Sequence, residues 1–326
     1  MSLPPTMRAV SYERYGTPEV LRIGELPTPS PAPGKVLVKV AATSVNLSDW
    51  ESLIGSPGYV RFDGLTRPRR QVLGSDISGV VVEVGEGVTR FAPGDEVYGS
   101  SPKGGFAEYA VATATALARK PPGLTFAQAA ALPEAGAIAL QGTASLENGQ
   151  RLLINGAGGG SGAFAIQLAK RAGAHVVGVD NGAKLDFMKS LGADEVVDYG
   201  QQDYTRLEPF DHILDLVAGR SVFAYQRALQ KGGRYMYVGG TLRGLLRVVT
   251  LGTLVGRVTG RRIGLLMVRM GPSTFEQLAQ RCVTGEIEIH IHRRYPLEEV
   301  PKALAEVGEG RALGKVVVDV DSRSPG

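Results

Sequence analysis

The chain has 326 residues, of which 43% are hydrophobic and 21% charged, a composition typical of globular rather than disordered proteins. The net charge is only +4 and the basic residues are scattered, so we expect no nucleic-acid partner. The single cysteine, Cys282, excludes an internal disulfide and a cysteine-rich zinc knuckle. We recognise neither a signal peptide nor a membrane span, and therefore expect a cytoplasmic protein with no membrane partner.

The length favours two domains, and the first part of the chain predicts a β-rich one. Lys35–Ala41 alternates apolar and polar residues, as a half-buried strand does. Further short runs of this kind are Gly79–Gly85, Glu96–Tyr98 and Ala107–Val111. We predict a boundary at Pro121–Gly123, followed by a helix over Phe126–Ala131.

A glycine-rich segment then connects a predicted strand to a predicted helix. The apolar run Leu152–Ile154 leads into five glycines between residues 156 and 162, and a helical pattern follows over Ser161–Lys170. Within it, Ala157-x-Gly159-x-x-Gly162 has the spacing of the dinucleotide-binding fingerprint, with Ala in the first position. A helix N-terminus at Gly160 and Ser161 would offer amide groups and a positive dipole end to phosphates. Such spacing also occurs without a ligand, so it needs support from the rest of the chain.

The following residues give that support, because strand and helix patterns alternate. Predicted strands are His175–Val179, Glu195–Tyr199, Ile213–Val217 and Arg234–Gly240, and a helix is predicted over Ala183–Leu191. This alternation predicts an α/β fold with a doubly wound parallel sheet. Asp180 ends the second strand, where a carboxylate typically accepts hydrogen bonds from the adenosine ribose.

Five segments of the chain carry recognisable motifs: Leu73–Gly99, Gly104–Val111, Ile154–Ala174, Ser190–Tyr199 and Arg293–Leu304. In sequence and order they resemble the medium-chain dehydrogenase/reductase superfamily, most closely its zinc-free quinone oxidoreductase-like branch. The resemblance implies a GroES-like β-rich domain and a Rossmann dinucleotide-binding domain. We assign residues 1–122 with 269–326 to the first and 123–268 to the second, and expect cofactor and substrate in a cleft between them.

The resemblance also bears on zinc. The positions that correspond to catalytic zinc ligands in zinc-dependent relatives hold Asn46, Ser75 and Glu134, and all four histidines follow residue 122. Asn and Ser are poor zinc ligands, so we predict no metal. Without a Lewis acid, hydride acceptors that need no such help are expected, namely quinones and α,β-unsaturated carbonyls.

Two residues are candidates for the reacting end. Asn46 matches an asparagine of the family, although Leu47 stands where the family has Pro, and its amide is predicted to orient the nicotinamide or a substrate oxygen. Alternatively, Asn46 and Asp49 only fix their own turn. Tyr59 resembles the tyrosine proposed as proton donor in enoyl reductases of the superfamily; the alternative is a surface loop tyrosine.

The resemblance and the fingerprint together predict the cofactor site. Its residues are Ala157, Gly159, Gly160, Ser161, Gly162, Asp180, Asn181, Lys184, Tyr199, Val238, Gly239, Gly240 and Lys315. Asp180 favours NADH because a carboxylate repels a 2′-phosphate. Lys184 and Tyr199 resemble the phosphate-contacting residues of NADPH-using quinone reductases, and we favour NADPH. For Lys315, the alternative is that it merely begins a strand.

The last part of the chain predicts a covering helix and a dimer. Leu242–Arg262 places arginines 243, 247, 257 and 261 on one helical face, which predicts a docked helix with a basic outer edge or, alternatively, a lid or substrate wall. Ile263–Val268 is an apolar edge strand that needs covering, and we expect a homodimer through it.

These predictions favour an enzyme, an NAD(P)H-dependent oxidoreductase that passes hydride to a quinone or an α,β-unsaturated carbonyl without zinc. One alternative is an enoyl-thioester or alkenal double-bond reductase. The other is a cofactor-binding protein with little turnover, since a fold does not guarantee chemistry.

Overall fold

The structure, a computed structural model, describes residues 3–101 and 104–321. Contacts between Cα atoms divide the chain into two compact units. Unit 1 comprises the described part of residues 1–137 together with that of 269–326, and unit 2 comprises Ile138–Val268. The predicted outer limits of the first domain, residues 1 and 326, lie outside the described residues.

The strands are numbered in chain order over the described ranges. They are β1 (Thr6–Ser11), β2 (Arg22–Pro27), β3 (Lys35–Val45), β4 (Asp76–Val84), β5 (Glu96–Ser100), β6 (Tyr109–Thr113), β7 (Leu117–Arg119), β8 (Arg151–Asn155), β9 (His175–Asp180), β10 (Glu195–Asp198), β11 (Phe210–Asp215), β12 (Leu229–Tyr237), β13 (Arg262–Leu265), β14 (Ile291–Pro296) and β15 (Lys315–Asp319).

The α-helices are numbered in the same way. They are α1 (Leu47–Ile54), α2 (Phe126–Ala130), α3 (Pro133–Thr143), α4 (Gly160–Arg171), α5 (Leu185–Ser190), α6 (Val222–Ala228), α7 (Leu242–Arg247), α8 (Thr253–Thr259), α9 (Pro272–Val283) and α10 (Val300–Gly308). A π-helical segment, Val248–Gly252, joins α7 to α8 without a break.

Unit 1 is built on a sheet in the order β14-β15-β3-β4-β5-β7, with β6 paired to the first half of β3. β4 and β15 flank β3 and both run antiparallel to it. The starts of β4 and β15 therefore lie beside the end of β3, where Ser44 pairs with Asp76 and Val45 with Val316. A core of buried valine, leucine and aromatic side chains covers this sheet.

Unit 2 contains a six-stranded sheet in the order β10-β9-β8-β11-β12-β13, in which every pairing is parallel. This confirms the predicted doubly wound α/β architecture. Because the strands are parallel, the residues that follow β8, β9, β11 and β12 gather at one edge, the carboxyl edge of the sheet. A buried cluster that includes Phe210, Tyr225 and Tyr235 packs against the strands.

The boundary between the units differs from the predicted position after Pro122. It falls between Ala137 and Ile138, inside α3. The reason is visible in α2, whose Ala127 and Ala130 are buried against Ala42 of β3 and Val317 of β15. The first helix after the proline–glycine segment thus covers the β-rich sheet and belongs to unit 1.

Two predictions near the end of the chain are wrong in detail. The predicted helix over Leu242–Arg262 ends at Thr259, because Gly260 adopts a left-handed conformation with φ of 65°, and Arg261 lies beyond it. The edge strand predicted over Ile263–Val268 is the shorter β13. It does stand at the edge of the sheet, paired with β12 alone among the described strands. A search of the described residues finds no helix with both the length and the hydropathy to cross a membrane.

Candidate active site

The glycine turn, Gly156–Gly162, connects β8 to α4 at the carboxyl edge of the parallel sheet. Its first two amides are anchored to the neighbouring strand, because Gly156 N and Ala157 N both donate to Val179 O, at 2.9 and 3.1 Å. Gly156 has a φ of 88°, which favours glycine. A Cβ atom on Gly162 would lie 2.4 Å from Ala157 O, so the first turn of the helix packs directly on the loop backbone.

The start of α4 is arranged to receive an anion. Its N-cap residue is Gly159, which has no side chain to cap the helix, and no acidic residue lies in the first turn. The first amides of a helix lack carbonyl partners within it and carry a partial positive charge. A Cβ on Gly159 would meet only Gly156 O, at 3.5 Å, so the glycine leaves space in front of these amides. This turn fits the pyrophosphate of a dinucleotide.

Asp180 ends β9 and closes against the glycine turn. Its Oδ2 accepts a hydrogen bond of 3.0 Å from Gly158 N, and its Oδ1 lies 3.5 Å from Lys184 Nζ. Both side chains are buried, with 8% and 5% of their residues' surface exposed. A Cβ on Gly158 would lie 2.6 Å from Lys184 Cδ, so the lysine stem lies across the turn. The aspartate charge is therefore partly neutralised by a cation beside the turn.

Asn181 and Tyr199 complete this corner. Asn181, and not Asp180, caps the short 3-10 helix Gly182–Lys184, because its Oδ1 accepts the amide of Ala183 at 3.1 Å. Tyr199 donates its backbone amide to Asp180 O at 3.2 Å, and 52% of the residue is exposed. The structure thus brings the predicted residues Asp180, Asn181, Lys184 and Tyr199 together at the end of β9.

The segment after β12 contains the predicted Val238, Gly239 and Gly240, and it is tied to β11 through Asp215. Val238 N donates to Asp215 O at 3.0 Å. The fully buried Asp215 carboxylate accepts Tyr235 Oη at 2.8 Å and Asn155 Nδ2 at 2.7 Å. It also accepts the amide of Ala218 at 2.8 Å, which holds this alanine at an unusual φ of 53°. The ends of three adjacent strands are therefore fixed by one carboxylate.

In unit 1, the three positions that correspond to zinc ligands in zinc-dependent relatives do meet. Asn46 Nδ2 donates to Ser75 Oγ at 3.3 Å, and Ser75 Oγ lies 3.5 Å from Glu134 Oε2. Ser48 Oγ donates to the same carboxyl group, at 2.9 Å from Oε2 and 3.1 Å from Oε1. Asn46 follows β3 and begins α1, and Ser75 precedes β4, so their proximity follows from the antiparallel pairing of these strands.

A lysine occupies the centre of this group. Lys315 begins β15, only 3% of the residue is exposed, and its Nζ donates to Asn46 Oδ1 at 2.6 Å. The other end of the same amide, Asn46 Nδ2, donates to Asp76 Oδ2 at 2.9 Å. We refer to Asn46, Ser48, Asp49, Ser75, Asp76, Glu134 and Lys315 as the polar cluster.

Three carboxyl groups of the polar cluster are strongly perturbed. Burial, together with the nearby charges of Asp76 and Asp49, raises the pKa of Glu134 to about 8. Burial likewise raises the pKa of Asp49 to about 7, although the amides of Asn46 and Gly74 donate to its two oxygens. The pKa of Asp76 is also raised by burial, while Lys315 opposes this increase. Burial lowers the pKa of Lys315. The cluster is therefore a set of buried ionisable groups in which burial favours the neutral form of each.

The donor set does not fit zinc. Tetrahedral zinc sites use thiolate, imidazole and carboxylate ligands, and the three positions here supply an amide, a hydroxyl and one carboxyl group. The amide oxygen of Asn46 already accepts a lysine ammonium, which would repel a divalent cation. No grouping of His, Cys, Asp and Glu suited to a metal occurs within residues 3–101 and 104–321.

The other predicted catalytic residue follows α1 in the chain. Tyr59 lies in the short 3-10 helix Gly58–Asp63 and is half-buried. Burial and the nearby charge of Glu51 raise the pKa of its hydroxyl. Burial also raises the pKa of Glu51 to about 7. The roles of Tyr59 and Asn46 stay predictions.

The sequence alone does not indicate that Lys315 contacts Asn46, nor that Asp49 and Asp76 are buried. Asp76 and Lys315 each stand at the first position of an apolar strand, where a charged residue is usually exposed. A sequence signal for their burial is therefore lacking, and only the strand pairing reveals it.

Family profiles match both ends of the chain. Residues 32–122 match the family described as alcohol dehydrogenase GroES-like domain, and residues 191–318 match the family described as zinc-binding dehydrogenase. The first match covers most of the β-rich part of unit 1, and the second extends from unit 2 into the returning part of unit 1.

Individual proteins match over nearly the full length. The mouse (Mus musculus) NAD(P)H oxidoreductase RTN4IP1, mitochondrial, is 35% identical, over 96% of this chain and 89% of its own. The 2-methylene-furan-3-one reductase of Solanum lycopersicum is 32% identical, over 98% and 80%. The solved quinone oxidoreductase of Coxiella burnetii superposes with a TM-score of 0.87 at 30% identity, over 97% and 99%. The chain therefore belongs to the medium-chain dehydrogenase/reductase superfamily, in its quinone oxidoreductase-like branch.

Proposed function

We propose that this chain is an NAD(P)H-dependent reductase that passes hydride to a quinone or an α,β-unsaturated carbonyl without zinc. The observation that carries the proposal is the glycine turn, where an uncapped helix N-terminus meets the carboxyl edge of a parallel sheet. A bound nicotinamide cofactor would supply the hydride. The chain contributes binding and orientation: the amides of the turn hold the pyrophosphate, and Val238–Gly240 offer backbone to the nicotinamide end.

The corner at Asp180 supports our preference for NADPH. An isolated carboxylate at this position would repel a 2′-phosphate, but Lys184 Nζ lies 3.5 Å from Asp180 Oδ1 and Gly158 N donates to Oδ2. These contacts partly neutralise the Asp180 carboxylate, and the half-exposed Tyr199 nearby offers a hydroxyl group to the phosphate. NADH remains the alternative cofactor.

The absence of zinc from the reaction is supported by the polar cluster. Its amide, hydroxyl and lysine groups suit neither the charge nor the ligand preferences of zinc. Quinones and enones suit such a site because their conjugation delocalises the charge that hydride addition creates. We propose Tyr59 or water as the proton source, as the sequence suggests.

A double-bond reductase is the second candidate, since a relative with 32% identity is named for reduction of an enone. The variant Tyr59→Phe distinguishes the two. Quinone reduction should persist in this variant, whereas enone reduction should fall at least about tenfold if Tyr59 donates the proton. If the variant reduces the enone as fast as the wild type does, Tyr59 is excluded as the acid.

We further propose a homodimer that forms through the edge of β13. Its outer side has no strand partner among the described residues, and Met267 just beyond it is 77% exposed. An unpaired apolar edge is an aggregation site unless it is covered. Light scattering at several protein concentrations tests this proposal.

The experiment for the proposed function is a fluorescence titration with NADPH and NADH, followed by oxidation assays with quinones and enones. Gly159→Ala is the variant, because its methyl group would enter the space before the α4 amides with only an ordinary contact to Gly156 O. We expect nucleotide affinity to fall at least about tenfold, or 1.4 kcal/mol.

Gly24→Ala in β2 is the matched control, because a Cβ there would have no neighbour within 4 Å. It should bind both nucleotides like the wild type. If the wild type binds neither nucleotide, the proposal is wrong. If it binds a nucleotide but oxidises it with no acceptor above background, the chain is a cofactor-binding protein with little turnover.

A further inference from the structure

The charges of this chain are unevenly distributed, despite the small net charge. Residues 216–275 contain ten of the 36 Lys and Arg residues and none of the 32 Asp and Glu residues. The rest of the chain is therefore acidic overall. The centre of the basic segment is the helical run formed by α7, the π-helical segment and α8.

This helical run buries Val248 and partly buries Leu245 and Val255 against the core of unit 2, but it exposes five other apolar side chains. Leu246, Leu254 and Val258 are 56%, 60% and 80% exposed. Leu242 and Val249 are also exposed, and they continue the stripe at helical spacing. The five-residue step from Val249 to Leu254 spans the π-helical segment, where a turn contains more residues, so the stripe stays on one face.

The buried side of the helical run explains why these apolar side chains are exposed. Gly252 and Gly256 are buried against the strand that follows: a Cβ on Gly252 would lie 2.9 Å from Ile263 Cγ2, and one on Gly256 2.7 Å from Arg261 O. Val248, 4% exposed, is the only large side chain that is fully buried within this described run. The glycines let the helical run pack closely on β13, and five of its leucine and valine side chains are left exposed.

Three arginines accompany the apolar stripe. Arg243, Arg247 and Arg257 are exposed, and no ion pair is formed by them with any residue in the described ranges. We call the set Leu242, Arg243, Leu246, Arg247, Val249, Leu254, Arg257 and Val258 the arginine–leucine face. Large exposed apolar patches mark interaction sites, and this one carries unbalanced positive charge.

We propose that the arginine–leucine face docks onto an anionic lipid bilayer, with its leucine and valine side chains in the interfacial layer and its arginines on the lipid phosphates. A helix with an apolar face flanked by cations lies in a membrane interface in this way. This proposed partner differs from the prediction made from the sequence, which expected no membrane partner.

Charge favours a bilayer over a second copy of the chain. A symmetric contact between two copies of this face would bring Arg243, Arg247 and Arg257 against the same residues of the other copy. No carboxylate within residues 216–275 could neutralise them. Anionic lipids supply the missing countercharge and also accept the apolar side chains.

The experiment is co-sedimentation of the full chain with phosphatidylcholine vesicles that either contain or lack phosphatidylglycerol. We expect binding to the anionic vesicles only, and its loss at high salt, because the charges are screened. The double variant Arg243→Glu/Arg247→Glu should reduce the partition coefficient by at least about 25-fold, at about fivefold or more per arginine. Leu246→Ser/Val258→Ser should also reduce binding, by about tenfold or more, since the face needs its apolar contacts.

Arg171→Glu/Lys189→Glu is the matched control, with the same change in charge on two exposed residues of unit 2 outside the face. It should sediment like the wild type, and circular dichroism should show that all variants are folded. Three results would overturn the proposal: no binding to anionic vesicles, equal loss in the control, or conversion of an oligomer to a monomer by the serine variant without any effect on vesicle binding.

Discussion

The glycine turn of unit 2 and the polar cluster of unit 1 both bury charged groups, but they are assembled in opposite ways. In the turn, Asp180 meets the amide of Gly158 and the ammonium of Lys184, all within a segment of about thirty residues that includes one turn and two strands. In the cluster, Asn46 and Lys315 are 269 residues apart in sequence. Local sequence therefore specifies the first site, whereas strand pairing alone specifies the second.

The two regions also balance charge differently. Asp180 has one cation and two amide donors close by, and its hydrogen bonds come mostly from the backbone. The polar cluster places three carboxyl groups around a single buried ammonium. Because one ammonium cannot neutralise three carboxylates, some of these carboxyl groups must be protonated. We therefore expect the turn to respond to changes in shape, and the cluster to respond to changes in charge and pH.

Lys315→Met should have the largest effect. It removes the buried cation that donates to Asn46 and attracts the Asp76 and Glu134 carboxyl groups, and removal of one charge from a buried charge network typically costs about 3–5 kcal/mol. Urea unfolding near neutral pH measures this loss. Lys39→Met is the control, because the Lys39–Asp321 pair is partly exposed and should contribute less than about 1 kcal/mol. Equal losses in both variants would mean that the buried ammonium has no special role.

Gly162→Val should have the next largest effect, through shape instead of charge. Its Cβ would lie 2.4 Å from Ala157 O, so the turn and α4 must separate. We expect a loss of about 1–3 kcal/mol in the free energy of unfolding and no detectable nucleotide binding. Thermal unfolding and fluorescence titration measure the two effects. A variant that still binds NADPH normally would contradict the role of the turn.

Glu134→Gln tests the pH response of the cluster. The native pKa of Glu134 is raised to about 8, above the value of about 4.3 in an unfolded chain. The native state therefore holds more protons than the unfolded state between these values, and its stability falls as pH rises through this window. Asp49, Asp76 and Lys315 are the charged groups that act on Glu134.

Because Gln cannot ionise, this variant should gain about 1–2 kcal/mol relative to the wild type between about pH 5 and about pH 8. Urea unfolding at several pH values is the measurement. Glu208→Gln, at a carboxylate that is 84% exposed, should show no such gain. Parallel pH profiles for the wild type and Glu134→Gln would contradict the prediction.

Asp180→Ser should have the smallest effect and concerns the choice of cofactor. Loss of the carboxylate frees Lys184 and removes repulsion of a 2′-phosphate, so the NADPH-to-NADH affinity ratio should rise about fivefold to tenfold, or about 1 kcal/mol. Titration with both nucleotides gives the ratio. A ratio that falls instead would mean that Asp180 favours NADPH in the wild type.

Much of the fold follows from local patterns in the sequence. The strand, glycine turn and helix of residues 151–171 appear as expected, because apolar periodicity and glycine spacing act over a few residues. The parallel sheet follows from the alternation of strands and helices. In the corner at Asp180, the strand pattern predicts Asp180 itself, whereas Lys184 and Tyr199 follow from the family resemblance.

The polar cluster and the arginine–leucine face were not predictable in the same way. Lys315 and Asp76 are buried only because β15 and β4 pair with opposite edges of β3, which no local pattern encodes. The sequence predicts a docked helix over Leu242–Arg262 with only a basic outer edge in contact with solvent. Gly252 and Gly256 instead pack closely against the residues of and before β13, and Leu246 and Leu254 remain exposed.

The position of Lys315 in the chain has a consequence for synthesis on the ribosome. Unit 2 is complete once Val268 has emerged, whereas unit 1 still lacks β14 and β15 at that moment. Asp49, Asp76 and Glu134 are therefore made long before the ammonium that joins them. The nascent unit 1 should remain incompletely folded until the last strand is released, so that unit 2 folds first although it is encoded second.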